Sequence, residues 1–84
     1  MDSDEERASH VALIDQLMAA MTSPPNLVVV IFLTQLFFLE PQHPSGRLFA
    51  AALKNWTANS PDAAVNSALL KVSALFSAFF FFLR

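Results

Sequence analysis

The stretch SPDAAVNSALLKVSALF, residues 60–76, decides the fold that this sequence predicts. Apolar residues recur along it and beyond it at alternating spacings of four and three, which is the spacing of one face of an α-helix. Ser60 suits the N-cap, Pro61 the first turn, and Asp62 the positive end of the helix dipole. We therefore predict a helix over residues 61–83. Its apolar stripe consists of Val65, Leu69, Val72, Phe76, Phe79 and Leu83.

A second Ser-Pro pair, Ser23 and Pro24, lies 37 residues earlier and precedes the apolar run LVVVIFLTQLFFL, residues 27–39. The valine-rich start of this run is also compatible with a buried strand. Thirteen residues are long for a strand, however, and a helix-start signal comes directly before them. The sequence therefore predicts a helix over residues 25–39, with Ser23 as its N-cap.

Two further helices are predicted from amphipathic spacing, over residues 8–21 and 47–57, and each comes shortly before a Ser-Pro pair. The loop EPQHPSG, residues 40–46, separates the two helix pairs because its two prolines and the only glycine oppose a continuous helix. The acidic residues 1–7 predict a disordered N-terminus. The predicted fold class is all-α, with two stacked antiparallel helical hairpins, residues 8–39 and 47–84, as in an α-solenoid.

The quoted stretch resembles the second helix of a HEAT or armadillo repeat, in which a proline and an acidic residue open the helix before a valine, a small residue and a leucine pair. The matching positions are Pro61, Asp62, Val65, Ala68 and Leu69. The resemblance implies a non-catalytic scaffold or protein–protein interaction module. It also implies that the chain is an N-terminal fragment or short isoform of a longer repeat protein, since two repeats leave an exposed end.

The partner implied is another protein, or the remaining repeats of a parent protein. Four consecutive phenylalanines close to the C-terminus form an apolar end with no polar cap, and a lysine interrupts the last helix. Trp56 is expected to pack in the core, although tryptophan also anchors interfaces. The predicted interaction surface comprises Trp56, Lys71, Phe79, Phe80, Phe81 and Phe82.

The composition argues against several kinds of chemistry. A net charge of −2 does not suit nucleic-acid binding, and the absence of cysteine removes thiolate ligands and nucleophiles. His10 and His43 are far apart, and His43 is expected to be an exposed loop histidine. No catalytic, cofactor-binding or metal-binding residue is predicted, and we expect no enzyme. An acidic N-terminus without an apolar run favours a cytoplasmic or nuclear location.

A membrane protein is the alternative. Residues 65–83 are long enough to span a bilayer, and residues 27–39 could form a hairpin with them. Lys71 near the middle of that span costs about 2.5–3.5 kcal/mol, which roughly cancels the favourable transfer of the apolar side chains. The sequon Asn55-Trp56-Thr57 would receive a glycan only if this segment reached the lumen.

Overall fold

The computed structural model describes residues 3–21 and 26–82, and within them the chain is all-α, with no strand. Helix α1 spans Ser3–Ala20, α2 Leu27–Leu39, α3 Gly46–Asn59 and α4 Ala63–Phe82. The valine-rich run that was compatible with a strand is therefore helical. Helix α3 extends beyond the predicted residues 47–57 at both ends.

Helix α1 begins at Ser3, so the prediction of a disordered segment over residues 1–7 is wrong for Ser3 to Arg7, while the first two residues lie outside the described part of the chain. Asp4, Glu5 and Glu6 occupy the first turn of the helix. Carboxylates are favourable there because the unpaired amides of a helix N-terminus carry partial positive charge. The acidic composition that suggested disorder thus stabilises the first turn.

The N-cap of α2 is Asn26, whose side-chain oxygen accepts a hydrogen bond from the Val28 amide at 2.9 Å. The predicted start at residue 25 is therefore wrong by two residues. Ser23, the predicted cap, lies outside the described residues. An asparagine directly before the apolar run is closer to the free amides of the first turn than Ser23, and it satisfies one of them.

A similar displacement occurs at α4, where Asp62 and not Ser60 acts as the cap. The Asp62 carboxylate accepts hydrogen bonds from the amides of Ala64 at 2.8 Å and Val65 at 3.2 Å. The Ser60 hydroxyl instead donates to the Asp62 carbonyl oxygen at 3.4 Å. The helix therefore begins at Ala63, two residues after the predicted start, because the carboxylate is the better acceptor and stands nearer the free amides.

Helices α1 and α2 form one antiparallel hairpin, and α3 and α4 form a second. In the second hairpin, the Asn66 side chain donates to the Thr57 carbonyl oxygen near the turn, while Phe49 meets Phe76 at a centroid distance of 5.3 Å farther away. In the first hairpin, the N-terminal part of α1 lies against Glu40, the residue that follows α2. Contacts between α2 and α4 join the two hairpins.

A single hydrophobic core lies between the helices, and α1 contributes only Ile14 to its fully buried set. The Cα atoms extend over 44 × 28 × 18 Å, and the shortest dimension admits only about two helices across. A plate of this thickness buries each helix on one side and leaves the other in solvent. The buried hydrophobic residues are Ile14, Val30, Leu33, Leu36, Phe37, Phe49, Leu53, Trp56, Leu69 and Phe76.

Candidate interaction surface

The six residues of the predicted interaction surface divide between the core and the exterior. Trp56 is only 8% exposed and packs in the core, so it is not available on the surface of this chain. Phe79 and Phe80 are half-buried, and Lys71 is exposed. Phe81 and Phe82 are 73% and 84% exposed, which makes them the apolar side chains most open to solvent at the end of α4.

Phe79 and Phe80 belong to an aromatic cluster in which the C-terminal parts of α2 and α4 meet. The rings of Phe79 and Phe38 have their centroids 4.3 Å apart, and Phe80 lies 4.6 Å from Phe76. The Phe80 ring lies beside the start of α3, where a Cβ on Gly46 would make an ordinary van der Waals contact with it at 3.7 Å. These two phenylalanines therefore contribute first to packing, and only their outer edges reach solvent.

The exposed side of α4 carries Lys71, Leu75, Ala78 and Phe82 along one line. Their spacing of four, three and four residues places them one above another on a helix. Leu75 is 58% exposed. Among these side chains only Lys71 carries charge. Leu70 and Phe81 are exposed on the neighbouring side of the same helix.

Helix α2 has an exposed stripe of the same kind, which the sequence analysis did not single out. Its members are Val28, Ile31, Phe32, Gln35 and Leu39, and all five are exposed. Val28 alone leaves 74% of its surface in solvent. The signal for this stripe was the run of apolar residues around the whole circumference of α2, because a helix on the surface of a thin plate cannot bury every side.

The two stripes belong to helices that are in contact with each other. Helices α2 and α4 are neighbours, and both turn their buried residues, among them Phe37 and Phe76, toward the one core. The exposed stripes therefore lie on the sides of α2 and α4 that do not face the core. We call this surface the α2–α4 outer face. It consists of Val28, Ile31, Phe32, Gln35, Leu39, Lys71, Leu75, Ala78 and Phe82.

A cluster of polar side chains between α1 and the end of α2 holds α1 in place. The buried Glu40 accepts hydrogen bonds from His10 Nδ1 at 3.0 Å and from Arg7 Nε at 3.4 Å. The hydrogen bond from His10 lowers the pKa of the Glu40 carboxyl below its ordinary value; burial opposes this shift, and Arg7 reinforces it. The backbone amide of Glu40 also bonds the Leu36 carbonyl oxygen at 2.9 Å, so one residue ends α2 and anchors α1.

His43 contradicts the expectation of an exposed loop histidine, because only 5% of its side chain is accessible. Its Nδ1 accepts the Ser45 amide hydrogen at 3.0 Å, which leaves the ring proton on Nε2, where it is donated to Asp15 at 3.2 Å. The edge of the ring packs against Phe37 with centroids 5.8 Å apart. Nδ1 is therefore used within the loop, and Nε2 links the loop to α1.

An open groove of about 610 Å³ lies between the loop of residues 41–46 and the end of α4, with Arg47 and Phe81 on its walls. Its volume is in the range of small-molecule sites. Much of its wall, however, is the loop backbone and the aromatic cluster already described. In residues 3–21 and 26–82, no group of three His, Cys, Asp or Glu side chains is placed to hold a metal ion.

Helix α4 is long and apolar enough to cross a bilayer, and it is the one such helix in the part of the chain that the structure describes. In this fold Leu69 and Phe76 of α4 are buried in the core.

Comparison of the chain with protein-family models, with curated proteins and with solved structures yields no match.

Proposed function

We propose that this chain is a non-catalytic protein–protein interaction or scaffold module of helical-repeat type, and that it binds through the α2–α4 outer face. The observation that carries the proposal is the composition of this face. Six large apolar side chains are exposed there together with a single charged residue, Lys71. A contiguous exposed apolar surface of this kind is typical of a binding site for another protein or a membrane.

The arrangement of the helices supports the repeat character of the module. Asn26 and Asp62 cap the second helix of each hairpin, and they are 36 residues apart. The spacing is close to that of the Ser-Pro pairs, and each unit consists of a helix, a short connection and a more apolar helix. Stacked units of this size characterise α-solenoids, whose function is to present surfaces to partner proteins.

Partners of the proposed module are another protein, or further repeats of a longer polypeptide, in the cytoplasm or nucleus. A helical partner would lay its own apolar stripe across α2 and α4, between Ile31 and Leu75. Lys71 would then favour a carboxylate on the partner, since the face itself contains none.

Membrane attachment is the second candidate, and the length and composition of α4 favour it. Insertion of α4 would have to withdraw Leu69 and Phe76 from the core and place Lys71 near the centre of the bilayer. The lysine alone costs about 2.5–3.5 kcal/mol there. Because the folded hairpins already use the inner side of α4, we favour the protein-binding proposal.

Site-specific photo-crosslinking in cells tests the proposal. A photoreactive phenylalanine analogue replaces Leu75 on the outer face or, as a matched control, Leu48 of α3, which is 66% exposed outside that face. A discrete protein adduct at position 75 that is absent at position 48 is expected. Adducts with lipid alone, resistance to carbonate extraction, or a glycan on Asn55 would favour the membrane candidate; equal labelling at both positions would refute the use of this face.

A further inference from the structure

We propose that the occupant of the α2–α4 outer face is a second copy of this chain, so that two molecules associate through identical faces related by a two-fold axis. This inference rests on the proposed function, because it identifies the partner at the same surface. Two-fold homodimers are the commonest assemblies of soluble proteins, and their interfaces require a surface that is complementary to itself.

The size of the face fits a dimer. Six exposed apolar side chains, each leaving on the order of 100 Å² in solvent, provide roughly 600 Å² of apolar surface per molecule. Stable interfaces bury about 800 Å² per partner, and Gln35, Ala78 and the aliphatic part of Lys71 enlarge the face toward that value. Such a patch is at the upper limit of what monomeric proteins expose.

The chemistry of the face is compatible with itself. No carboxylate lies on it, and apart from Lys71 its only polar side chain is Gln35, which both donates and accepts hydrogen bonds. Apolar stripes of two neighbouring helices therefore meet the same stripes of the second copy. The two Lys71 ammonium groups repel each other weakly, and their long side chains reach solvent at the edge of the interface.

A lipid surface fits the same face less well. Lys71, at the N-terminal end of the α4 stripe, is the single described cation on the face, whereas the other described cations, Arg7, Arg47 and Lys54, lie outside the face on α1 and α3. A net charge of −2 also gives no attraction to anionic lipids.

Association would stabilise the chain, because its own hydrophobic core is small. The 84 residues contain no cysteine, so no disulfide can supplement the ten buried hydrophobic residues. Domains of this size are marginally stable, and association between copies is one of the usual ways in which they gain stability. Contact between two outer faces would transfer more apolar surface from water without changing the fold of either copy.

Sedimentation equilibrium of the full chain between about 1 and 100 µM tests the inference. A reversible species of twice the 9.3 kDa chain mass is expected. Leu75→Glu should raise the dissociation constant by about tenfold or more, because it buries a carboxylate from each copy, a cost that Lys71 one turn earlier on the same helix only partly offsets. Leu48→Glu, the same substitution at a similarly exposed position on α3, should leave the dissociation constant unchanged, and circular dichroism checks that both variants remain helical.

A second variant tests whether the charge of Lys71 weakens the association of the two copies. Lys71→Met removes the two facing cations and should lower the dissociation constant severalfold. The dimer would be refuted by a chain that is still monomeric at 100 µM or by equal dissociation of the Leu48→Glu and Leu75→Glu variants. It would also be refuted by larger aggregates that Leu75→Glu does not affect. Binding of the monomer to phosphatidylcholine–phosphatidylserine vesicles would replace it with a lipid surface. A monomer that still crosslinks to another protein at position 75 would refute the dimer alone and leave the proposed function intact.

Discussion

Helices α1 and α4 have similar lengths, 18 and 20 residues, but they are attached to the molecule by different forces. Helix α1 buries only Ile14 completely, packs Leu17 and Met18 partly against the core, and is also held by directional contacts of Arg7, His10 and Asp15. Helix α4 is held by Leu69, Phe76 and the aromatic cluster around them, and it exposes leucine and phenylalanine on its other side.

The comparison shows how a thin two-layer fold distributes an excess of apolar residues. A polar, alanine-rich helix such as α1 ends one side of the molecule without leaving a large apolar surface. Helices α2 and α4 are apolar around most of their circumference, so burying one side leaves apolar side chains exposed on the other. Helices α1 and α4 should therefore respond differently to truncation of core side chains, to removal of charges and to acid.

The largest effect is expected in α4. Phe76→Ala should lower the free energy of unfolding by about 3–5 kcal/mol, because the ring is 3% exposed and contacts Phe37, Phe49 and Phe80. Urea denaturation followed by circular dichroism measures the loss. A change below about 1 kcal/mol would mean that these rings do not form the centre of the fold.

The corresponding truncation in α1, Ile14→Ala, should cost about 2–3 kcal/mol, since Ile14 is the one buried residue of that helix. Hydrogen exchange should show faster exchange confined to α1, because its other apolar contacts with the core, those of Leu17 and Met18, are only partly buried. Uniformly faster exchange throughout α2, α3 and α4 would contradict the weaker attachment of α1.

Removing the charge of Glu40 should have a smaller effect. Glu40→Gln weakens the hydrogen bonds from His10 and Arg7 and should cost about 1–2 kcal/mol, because Glu40 is buried but Arg7 is largely exposed. Glu5→Gln, an exposed change on the same helix, is the control and should remain within about 0.5 kcal/mol of the wild type. Equal effects of the two substitutions would deny Glu40 its anchoring role.

The same carboxylate should make the attachment of α1 sensitive to acid. The pKa of Glu40 is lower in the folded chain than its ordinary value of 4.5, so its contribution to stability is complete above that value. The contribution is lost as the pH falls below 4.5 and through the lowered folded pKa. The stability difference between wild type and Glu40→Gln should therefore be constant near neutral pH and shrink in this acidic window. A difference that grows with acid would reverse the sign of the linkage.

The smallest effect concerns the start of α4. Asp62→Ala should destabilise the chain by about 1 kcal/mol through loss of the cap, and Ser60→Ala by only a few tenths. Thermal unfolding of the two variants decides which residue caps the helix. A greater loss from Ser60→Ala would restore the cap that the sequence pattern favoured.

Much of the fold was predictable because helix formation here depends on local features. Apolar residues at helical spacing, the prolines near positions 24, 41, 44 and 61, and capping side chains specify four helices without information from elsewhere in the chain. The exact caps were not predictable, because Ser60 and Asp62 compete for the same amides within two residues. The predicted interaction surface included Trp56, which the core absorbs, and omitted the exposed stripe of α2.

The sequence by itself determined that the chain forms helices and that it has more apolar surface than a thin fold can bury, since both follow from composition and spacing along the chain. Only the tertiary structure decided which side of α2 and α4 remains outside. It also brought His10 to Glu40 and Asp15 to His43, pairs that are 30 and 28 residues apart. The physical reason is that helical spacing specifies the sides of one helix, whereas contact between distant residues depends on how all four helices share one core.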